Sequence, residues 1–274
     1  MKTTTLFISL MLCFFYHAYA QGLLVTYEET MNVRLERPDL GNIDNPQIRA
    51  AIENSMRERI ELMNAPRVSQ LVVSNGISLY TIGEFDPLTN SQTTKQIGEN
   101  TTFNSNTTVV NTRNTIFKDH YDKLLFTLVH FDEKEYLTEE PLEELNWKIG
   151  KRKREVSGYQ CLEATAKRAN GSVVVAWYTP DIPVSEGPAE FNGLPGLILY
   201  VDVDNGKTIY ACTSVERIED LAEIQIPENV EKISKEQYQT MVSSQIERIE
   251  EMMERRRATN GSNTNRIGGT VIIR

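Results

Sequence analysis

Histidine and cysteine are scarce in this 274-residue chain, which contains three of each. Beyond the first 20 residues only two histidines, His120 and His130, and two cysteines, Cys161 and Cys212, remain. A zinc site built from cysteines alone needs three or four thiolates, and neither histidine has a second histidine or cysteine at ligand spacing. The sequence therefore predicts neither a metal nor a cofactor.

Basic residues are outnumbered, because 29 lysines and arginines stand against 38 acidic residues and give a net charge of −9. An acidic chain repels the phosphate backbone of nucleic acids, so we expect no nucleic-acid partner. The one strongly basic run is Lys151–Arg154. A short charge run most often forms a solvated turn, which is our prediction for this one, and a docking patch is the alternative.

Long hydrophobic runs are missing too. The longest, Leu6–Phe15, is well short of the roughly 20 residues that span a bilayer as a helix. Lys2 precedes it and Ala18-Tyr19-Ala20 follows it, which is the pattern of a secretory signal peptide. We predict that residues 1–20 are removed by cleavage between Ala20 and Gln21, and that no transmembrane segment is left.

The signal peptide leaves one alternative open, because Cys13 lies inside the apolar run. A lipid-modified cysteine needs small residues directly before it, and Leu10-Met11-Leu12 supplies none. We therefore expect an exported, unlipidated protein.

Motifs of catalytic chemistry are also missing. Ser185 and Ser214 lack the flanking glycines of a nucleophile elbow, and no serine, histidine and aspartate stand in the order of a hydrolase triad. No glycine-rich phosphate-binding loop precedes a helix. The sequence predicts no catalytic residue, and an enzyme is not the expected class.

What the chain does contain is a series of hairpin signals. Asn-Gly pairs occur between β-rich runs at Asn75-Gly76, Asn170-Gly171 and Asn205-Gly206. Both residues of such a pair tolerate the positive φ angles of a tight type I′ turn. Strands joined by hairpins are antiparallel neighbours, so the sequence predicts a largely antiparallel sheet.

Two helices accompany these strands. One is predicted for Pro46–Met63, with Asn45 as its N-cap. The other, Lys235–Arg257, carries a stripe with methionines that we expect to pack on the sheet. The fold class is mainly β (α+β): a curved antiparallel sheet with two packed helices, and a half-barrel like that of periplasmic lipoprotein carriers is the preferred form.

The domain plan has three parts. Residues 1–20 are the predicted signal peptide, residues 21–258 are expected to form a single β-rich domain, and residues 259–274 are expected to form a linker and a short C-terminal strand. Residues 86–115 are crowded with threonine, asparagine, serine and glutamine, so we predict a loop or insertion there.

Cys161 and Cys212 make an even count, which in an oxidising compartment suggests one disulfide. Alternation along the two strands places both thiols on the more polar face. A disulfide needs Cα atoms within about 7 Å, whereas a simple meander would put these strands three spacings, roughly 14 Å, apart. We predict the bond, and with it a strand order that makes the two strands neighbours.

One segment is far more specific: Gly193-Leu194-Pro195-Gly196-Leu197-Ile198. It resembles the motif that names the GLPGLI family of exported Bacteroidetes proteins. Matching motifs occur in family order across residues 145–215: Leu145–Ile149, Gly158–Cys161 with Ala164, Ala176–Pro183 and Gly187-Pro188. The family has no established activity, so the resemblance implies only a location in the periplasm or cell envelope of a Gram-negative bacterium and a genomic association with outer-membrane transport proteins.

The residues of the motif also have a physical interpretation. Gly193 and Gly196 permit backbone angles closed to other residues, Pro195 fixes φ between them, and Leu194, Leu197 and Ile198 lead into a buried strand. Trp177 and Tyr178 precede this loop and could cap it. The loop is either a device that packs the core or part of a ligand site.

We expect a non-enzymatic binding or assembly protein of the cell envelope. It would hold an apolar ligand or support an outer-membrane transport partner. The alternative is an envelope hydrolase with dispersed acidic residues in its active site. A continuous apolar cavity would favour the first, and a cleft in which carboxylates converge with a histidine would favour the second.

Overall fold

The computed structural model describes residues 22–34, 44–82, 88–96, 102–111, 114–131, 134–219, 221, 223–259 and 266–273. Within these residues the chain forms two helices, α1 (Pro46–Met63) and α2 (Lys235–Thr259). It also forms fifteen strands: β1 (Gly22–Met31), β2 (Arg67–Ser74), β3 (Ile77–Ile82), β4 (Leu88–Gln96), β5 (Thr102–Asn111), β6 (Thr115–Asp119), β7 (Leu124–Phe131), β8 (Lys134–Pro141), β9 (Lys148–Val156), β10 (Tyr159–Lys167), β11 (Val173–Thr179), β12 (Leu197–Val203), β13 (Thr208–Ile218), β14 (Glu231–Ile233) and β15 (Arg266–Ile273). The predicted signal peptide lies outside the described residues.

Twelve strands form one sheet in the order β14-β8-β7-β6-β3-β2-β1-β13-β12-β11-β10-β9. Every neighbouring pair is antiparallel except β14 and β8, which are parallel. The predicted class, a mainly β protein with a curved, largely antiparallel sheet and two helices, is confirmed. The first strand lies in the middle of the sheet, because β1 pairs with β2 on one side and β13 on the other.

The sheet curves strongly. Tyr80 on β3 and Tyr210 on β13 have two strands between them, yet their ring centroids lie 6.4 Å apart. Strands of a flat sheet at that separation would lie about 14 Å apart. The face that carries these two tyrosines is therefore the concave face.

The three predicted Asn-Gly hairpins are present as β2–β3, β10–β11 and β12–β13. At the first turn Asn75 (φ 47°) and Gly76 (φ 74°) both have positive φ, as a type I′ turn requires. A fourth tight turn, Ser157-Gly158 between β9 and β10, uses the same geometry with a serine in place of asparagine.

Helix α1 begins where predicted, and the side chain of Asn45 accepts hydrogen bonds from the backbone N–H groups of Gln47 and Ile48. Helix α2 meets the sheet at β8, where Lys235 pairs with Glu140 at 2.8 Å. Its methionine stripe is only partly covered, since Met252 remains 53% exposed. Neither described helix carries an apolar stretch sufficient to cross a bilayer.

Two predictions about local structure, a loop at residues 86–115 and a turn at Lys151–Arg154, are wrong. Much of the segment predicted as a loop or insertion, residues 86–115, forms an antiparallel hairpin of β4 and β5, which β15 joins in a separate three-stranded sheet. Threonine suits a strand because its β-branched side chain fits a pleated surface even without apolar alternation. The basic run Lys151–Arg154 lies on β9, an edge strand of the large sheet, rather than in a turn.

Candidate functional site

The connection between β11 and β12, residues 180–196, crosses the concave face and carries the most specific motif of the sequence. We call it the strap. Its backbone is held by hydrogen bonds from Leu197 N to Ile182 O (3.0 Å) and from Ile198 N to Glu186 O (2.8 Å). Phe191 and Leu194 are buried in one cluster with Tyr178 and other residues of β10, β11 and β12. The strap is thereby fixed to the second half of the sheet.

Two glycines of the motif are required by geometry. Gly196 has φ +153°, and a Cβ there would lie 2.2 Å from the carbonyl oxygen of Thr179. Gly193 has φ +89°, which other residues rarely adopt. Leu194, Leu197 and Ile198 are buried as predicted. The motif therefore packs the start of β12 tightly against the end of β11.

The two aromatic residues before the strap have different surroundings. Tyr178 packs with the buried side chains of the strap. Trp177 belongs to another cluster, which contains Cys161 and Cys212, and the guanidinium carbon of Arg154 lies 4.5 Å from its ring centroid. Both residues suggested as a cap for the loop thus share a cluster with strap residues, Tyr178 with Phe191 and Leu194, and Trp177 with Ala189.

A buried ion cluster joins the strap to the first half of the sheet. Lys118 on β6 has a fully buried side chain, and its Nζ donates to the carbonyl oxygens of Gly187 (2.8 Å) and Phe191 (3.1 Å). The same Nζ lies 2.7 Å from Oε2 of Glu186, whose side chain is 3% exposed. Nε2 of His120 lies 2.5 Å from the other oxygen, Oε1. One carboxylate of the strap thus binds two basic residues of β6 and the turn that follows it.

The electrostatics of Glu186 follow from these neighbours. Burial alone raises its pKa, because a carboxylate loses its hydration. The charge of Lys118 and the hydrogen bond with His120 act in the opposite direction and together hold the pKa of Glu186 below its ordinary value. Nζ of Lys118 has three N–H bonds, of which two go to the strap carbonyls, and Oε2 lies 2.7 Å from the same nitrogen. The anchor at Oε2 is therefore an ion pair.

Beside this cluster lies a pocket of about 300 Å³. It is bounded by the strap, by the turn after β6 and by the connection from β8 to β9, and it is lined by His120, Lys123, Leu142, Glu144, Leu145, Ser185, Asn192 and Gly193. His120 reaches it because its side chain is 31% exposed, unlike the buried Lys118 and Glu186. Trp147 supports the wall by donating from Nε1 to Asn192 O at 2.8 Å.

The chemistry available in this pocket is limited by one hydrogen bond. Ser185 lines the same pocket as His120, but its hydroxyl donates to Leu194 O at 2.6 Å. A nucleophilic serine would instead donate to the histidine that acts as its base. The arrangement therefore suits ligand binding better than nucleophilic attack.

A second buried carboxylate lies deeper on the concave face. Glu29 on β1 is 6% exposed and pairs with Arg67 at 3.1 Å. Burial raises the pKa of Glu29 and the charge of Glu190 adds to this effect, while Arg67 opposes it. Among the residues that the structure describes, no three histidine, cysteine or carboxylate side chains gather around a metal-sized position.

The two cysteines lie in one apolar cluster, so the prediction of a polar face was wrong. Cys161 is 1% and Cys212 is 6% exposed, and burial raises the pKa of each thiol to about 11. The strands are not neighbours, because β11 and β12 separate β10 from β13. The tip of the β9–β10 hairpin nevertheless folds toward β13, and Ser157 Oγ donates to Cys212 O at 2.6 Å. Both thiols are free in the structure, and the disulfide stays a prediction.

Sequence reasoning missed Lys118 and Glu186, and it named no acidic partner for His120. One signal was present, since Lys118 follows Ile116 at a spacing of two and so shares its face of the strand. A lysine on the core side of a strand needs a buried acid, but nothing in the sequence singles out Glu186 among 38 acidic residues.

Comparisons with known proteins place limits on identity. A family model described as "Protein of unknown function (Porph_ging)" matches residues 167–200, which hold β11, the strap and the first half of β12. No curated protein matches the chain. Crystal structures of PNGF-II in space groups C2 and P21 are similar, with TM-scores of 0.51 and 0.50 and sequence identities of 14% and 15%. Each match covers 81% of this chain and 33% of the PNGF-II chain, so the likeness extends over about a third of PNGF-II and shows the fold alone.

Proposed function

We propose that this chain is an exported, non-enzymatic binding protein of the Gram-negative cell envelope, similar to the GLPGLI family, and that it holds a small ligand in the pocket beside the strap. The observation that carries the proposal is the anchoring of the strap. A fully buried lysine and a histidine fix Glu186 against β6 and so hold one wall of the pocket in place. A preformed wall lowers the entropic cost of binding.

The lining favours a ligand with both apolar and polar parts. Leu142 and Leu145 offer apolar surface, while His120, Asn192 and Ser185 bring polar atoms to the same pocket. Its volume of about 300 Å³ is at the lower end of the range for small-molecule sites. The concavity itself is occupied by buried side chains such as Tyr27 and Leu71, so we place the ligand beside the strap and not deep in the sheet.

The proposal is tested by filling the pocket. The full chain, a Leu145→Trp variant and a volume-conserving Leu145→Met control are expressed with the native leader and examined by native mass spectrometry after gentle release from the periplasm. We expect an added mass on the wild type and the control that is lost from Leu145→Trp, while the melting temperatures stay close. If none of the three proteins carries a ligand and none retains an envelope protein in pull-down, the binding proposal is wrong.

A hydrolase is the second candidate, because His120 and Glu186 form an acid–base pair at 2.5 Å next to a pocket that also contains Ser185. Chromogenic ester, peptide and glycoside substrates test it directly. Turnover by the wild type that disappears in both His120→Gln and Ser185→Ala would establish this candidate. The same result would overturn the non-enzymatic proposal.

A further inference from the structure

One arginine of the basic run on β9, Arg154, lies outside the strap pocket described above. The guanidinium carbon of Arg154 lies 4.0 Å from the ring centroid of Tyr200 and 4.5 Å from that of Trp177. Both distances are well inside the range of about 6 Å within which an aromatic ring attracts a cation. Tyr200 and Trp177 are cross-strand partners on β12 and β11, so the side chain extends across β10 to reach them. Two rings thus hold the guanidinium in one orientation.

Arg154 has no anionic partner in the part of the chain that the structure describes. Arg67, Arg152 and Arg168 each form an ion pair with a glutamate, whereas no described carboxylate lies within ion-pair distance of Arg154. Its Nε is buried without an acceptor, and its terminal nitrogens donate no hydrogen bond to any described residue. A donor that is buried without an acceptor costs free energy. The unpaired Nε–H of Arg154 therefore lowers the stability of the folded protein.

The planar geometry of the guanidinium determines which ligand groups can accept its N–H bonds. Stacking on rings occupies the flat face of the group, whereas its N–H bonds point outward in its plane. A carboxylate or phosphate can accept two of them in parallel, which is among the strongest hydrogen-bond arrangements in proteins. Arg152, two residues before it, also lies over Trp177, at 5.8 Å, but its charge is paired with Glu163, so Arg154 is the one of the two arginines that is left to bind an anion.

We propose that Arg154, stacked on Trp177 and Tyr200, anchors a second binding site, distinct from the strap pocket, which takes the oxyanion of a carboxylate or phosphate ligand. The site lies in a chain with a net charge of −9, so a local basic cluster there does not reflect a general attraction for anions. An arginine that serves packing alone would lose stability on replacement but would show no saturable response to an anion.

The two tryptophans of the chain make the test direct. In a Trp147→Phe background, Trp177 is the remaining tryptophan and lies under the guanidinium. Sodium phosphate and sodium succinate are titrated separately at an ionic strength kept constant with sodium chloride, and tryptophan fluorescence is recorded. We expect a saturable change with at least one of the two anions and none when sodium chloride alone is varied. Tighter binding of phosphate assigns a phosphorylated ligand or a lipid headgroup, and tighter binding of succinate assigns a carboxylate ligand.

Matched variants on the same strand separate the site from general charge. Arg154→Lys keeps the charge but loses the planar fork, so we expect at least about tenfold weaker binding. Lys153→Ala removes a neighbouring exposed charge and should change the affinity by no more than about twofold, because solvent screens it.

An equal affinity in Arg154→Lys, a response that sodium chloride reproduces, or no saturable response at all would overturn the proposal. If Arg154→Lys does not fold, the Nε–H resonance of Arg154 in the unmodified chain gives the answer. It should shift on addition of the anion that binds, and a constant resonance would also overturn the proposal.

Discussion

Replacing Lys118 by methionine should destabilise the protein strongly and in a pH-dependent way. The substitution keeps the length of the side chain but removes the charge that faces Glu186 and the donors to Gly187 O and Phe191 O. Removing one partner of a buried ion pair typically costs about 3–5 kcal/mol, because the other charge is left uncompensated. Glu186 can instead take up a proton, which at about pH 7 costs roughly 3 kcal/mol for a carboxyl with an ordinary pKa. The cost of an uncompensated charge and the cost of protonation are similar. We therefore expect the free energy of unfolding to fall by about 3–4 kcal/mol.

The sign of the pH dependence distinguishes this mechanism from a simple packing defect. In the wild type the folded-state pKa of Glu186 lies below its ordinary value of 4.5, so its contribution to stability is present above that pH and is lost as the pH falls through the lowered pKa. In Lys118→Met we expect the pKa of Glu186 to rise above its unfolded value. The destabilisation caused by the variant then grows with rising pH and shrinks as the pH falls. The difference in free energy of unfolding between variant and wild type should therefore become smaller when the pH is lowered from about 7 to about 5.

Urea unfolding of the full chain at these two pH values measures both effects. Lys123→Met is the matched control, because Lys123 also pairs with a glutamate but is 72% exposed, and its unfolding midpoint should be unchanged. The double variant Lys118→Met/Glu186→Gln should recover a large part of the loss, since no buried charge remains. A loss below about 1 kcal/mol for Lys118→Met, or a gap that does not depend on pH, would refute the reasoning.

Three further predictions concern other parts of the chain. Gly196→Val should lower the free energy of unfolding by about 3 kcal/mol or more, because its Cβ would collide with Thr179 O; thermal melting checks this, and an unchanged melting temperature contradicts it. Thiol labelling of denatured, unreduced protein should find Cys161 and Cys212 joined, and two reactive thiols would disprove the disulfide. The intact mass of the exported protein should match residues 21–274 without lipid, whereas a diacyl addition or a retained leader would show that the processing prediction is wrong.

Local features were the ones that the sequence predicted best. Asn75-Gly76 specified its hairpin because asparagine and glycine tolerate a positive φ at two successive positions better than most residues do. Helix α1 was predicted to the residue, since Asn45 caps it and Pro46 fits its first turn. The motif glycine Gly196 was correctly associated with a backbone angle that other residues rarely adopt. Each of these depends on neighbours in sequence.

The predictions that were wrong and the site residues that were missed lie on strands without apolar alternation, on an edge strand, or in contacts between residues far apart in sequence. The strands of residues 86–115 lack the apolar alternation that reveals a strand with one buried face. The basic run Lys151–Arg154 lies on an edge strand, where charges are tolerated and even useful against unwanted pairing. The anchor of the candidate site joins residues 66–73 positions apart, and this pairing arises from the curvature of the sheet. The same curvature brings the hairpin tip near Cys212, which strand counting alone could not show.

The central position of β1 has a consequence for the order in which the protein can form. The N-terminus of a chain emerges first from the ribosome or from a membrane channel, but β13, one of the two neighbours of β1, ends at Ile218. The hydroxyl of Tyr27 likewise donates to Ile198 O, which lies 171 residues later in the chain. Until then one edge of β1 is an open template for pairing with other chains. Folding dominated by such distant contacts is slow, so the open edge of β1 is exposed to aggregation until its last neighbour arrives.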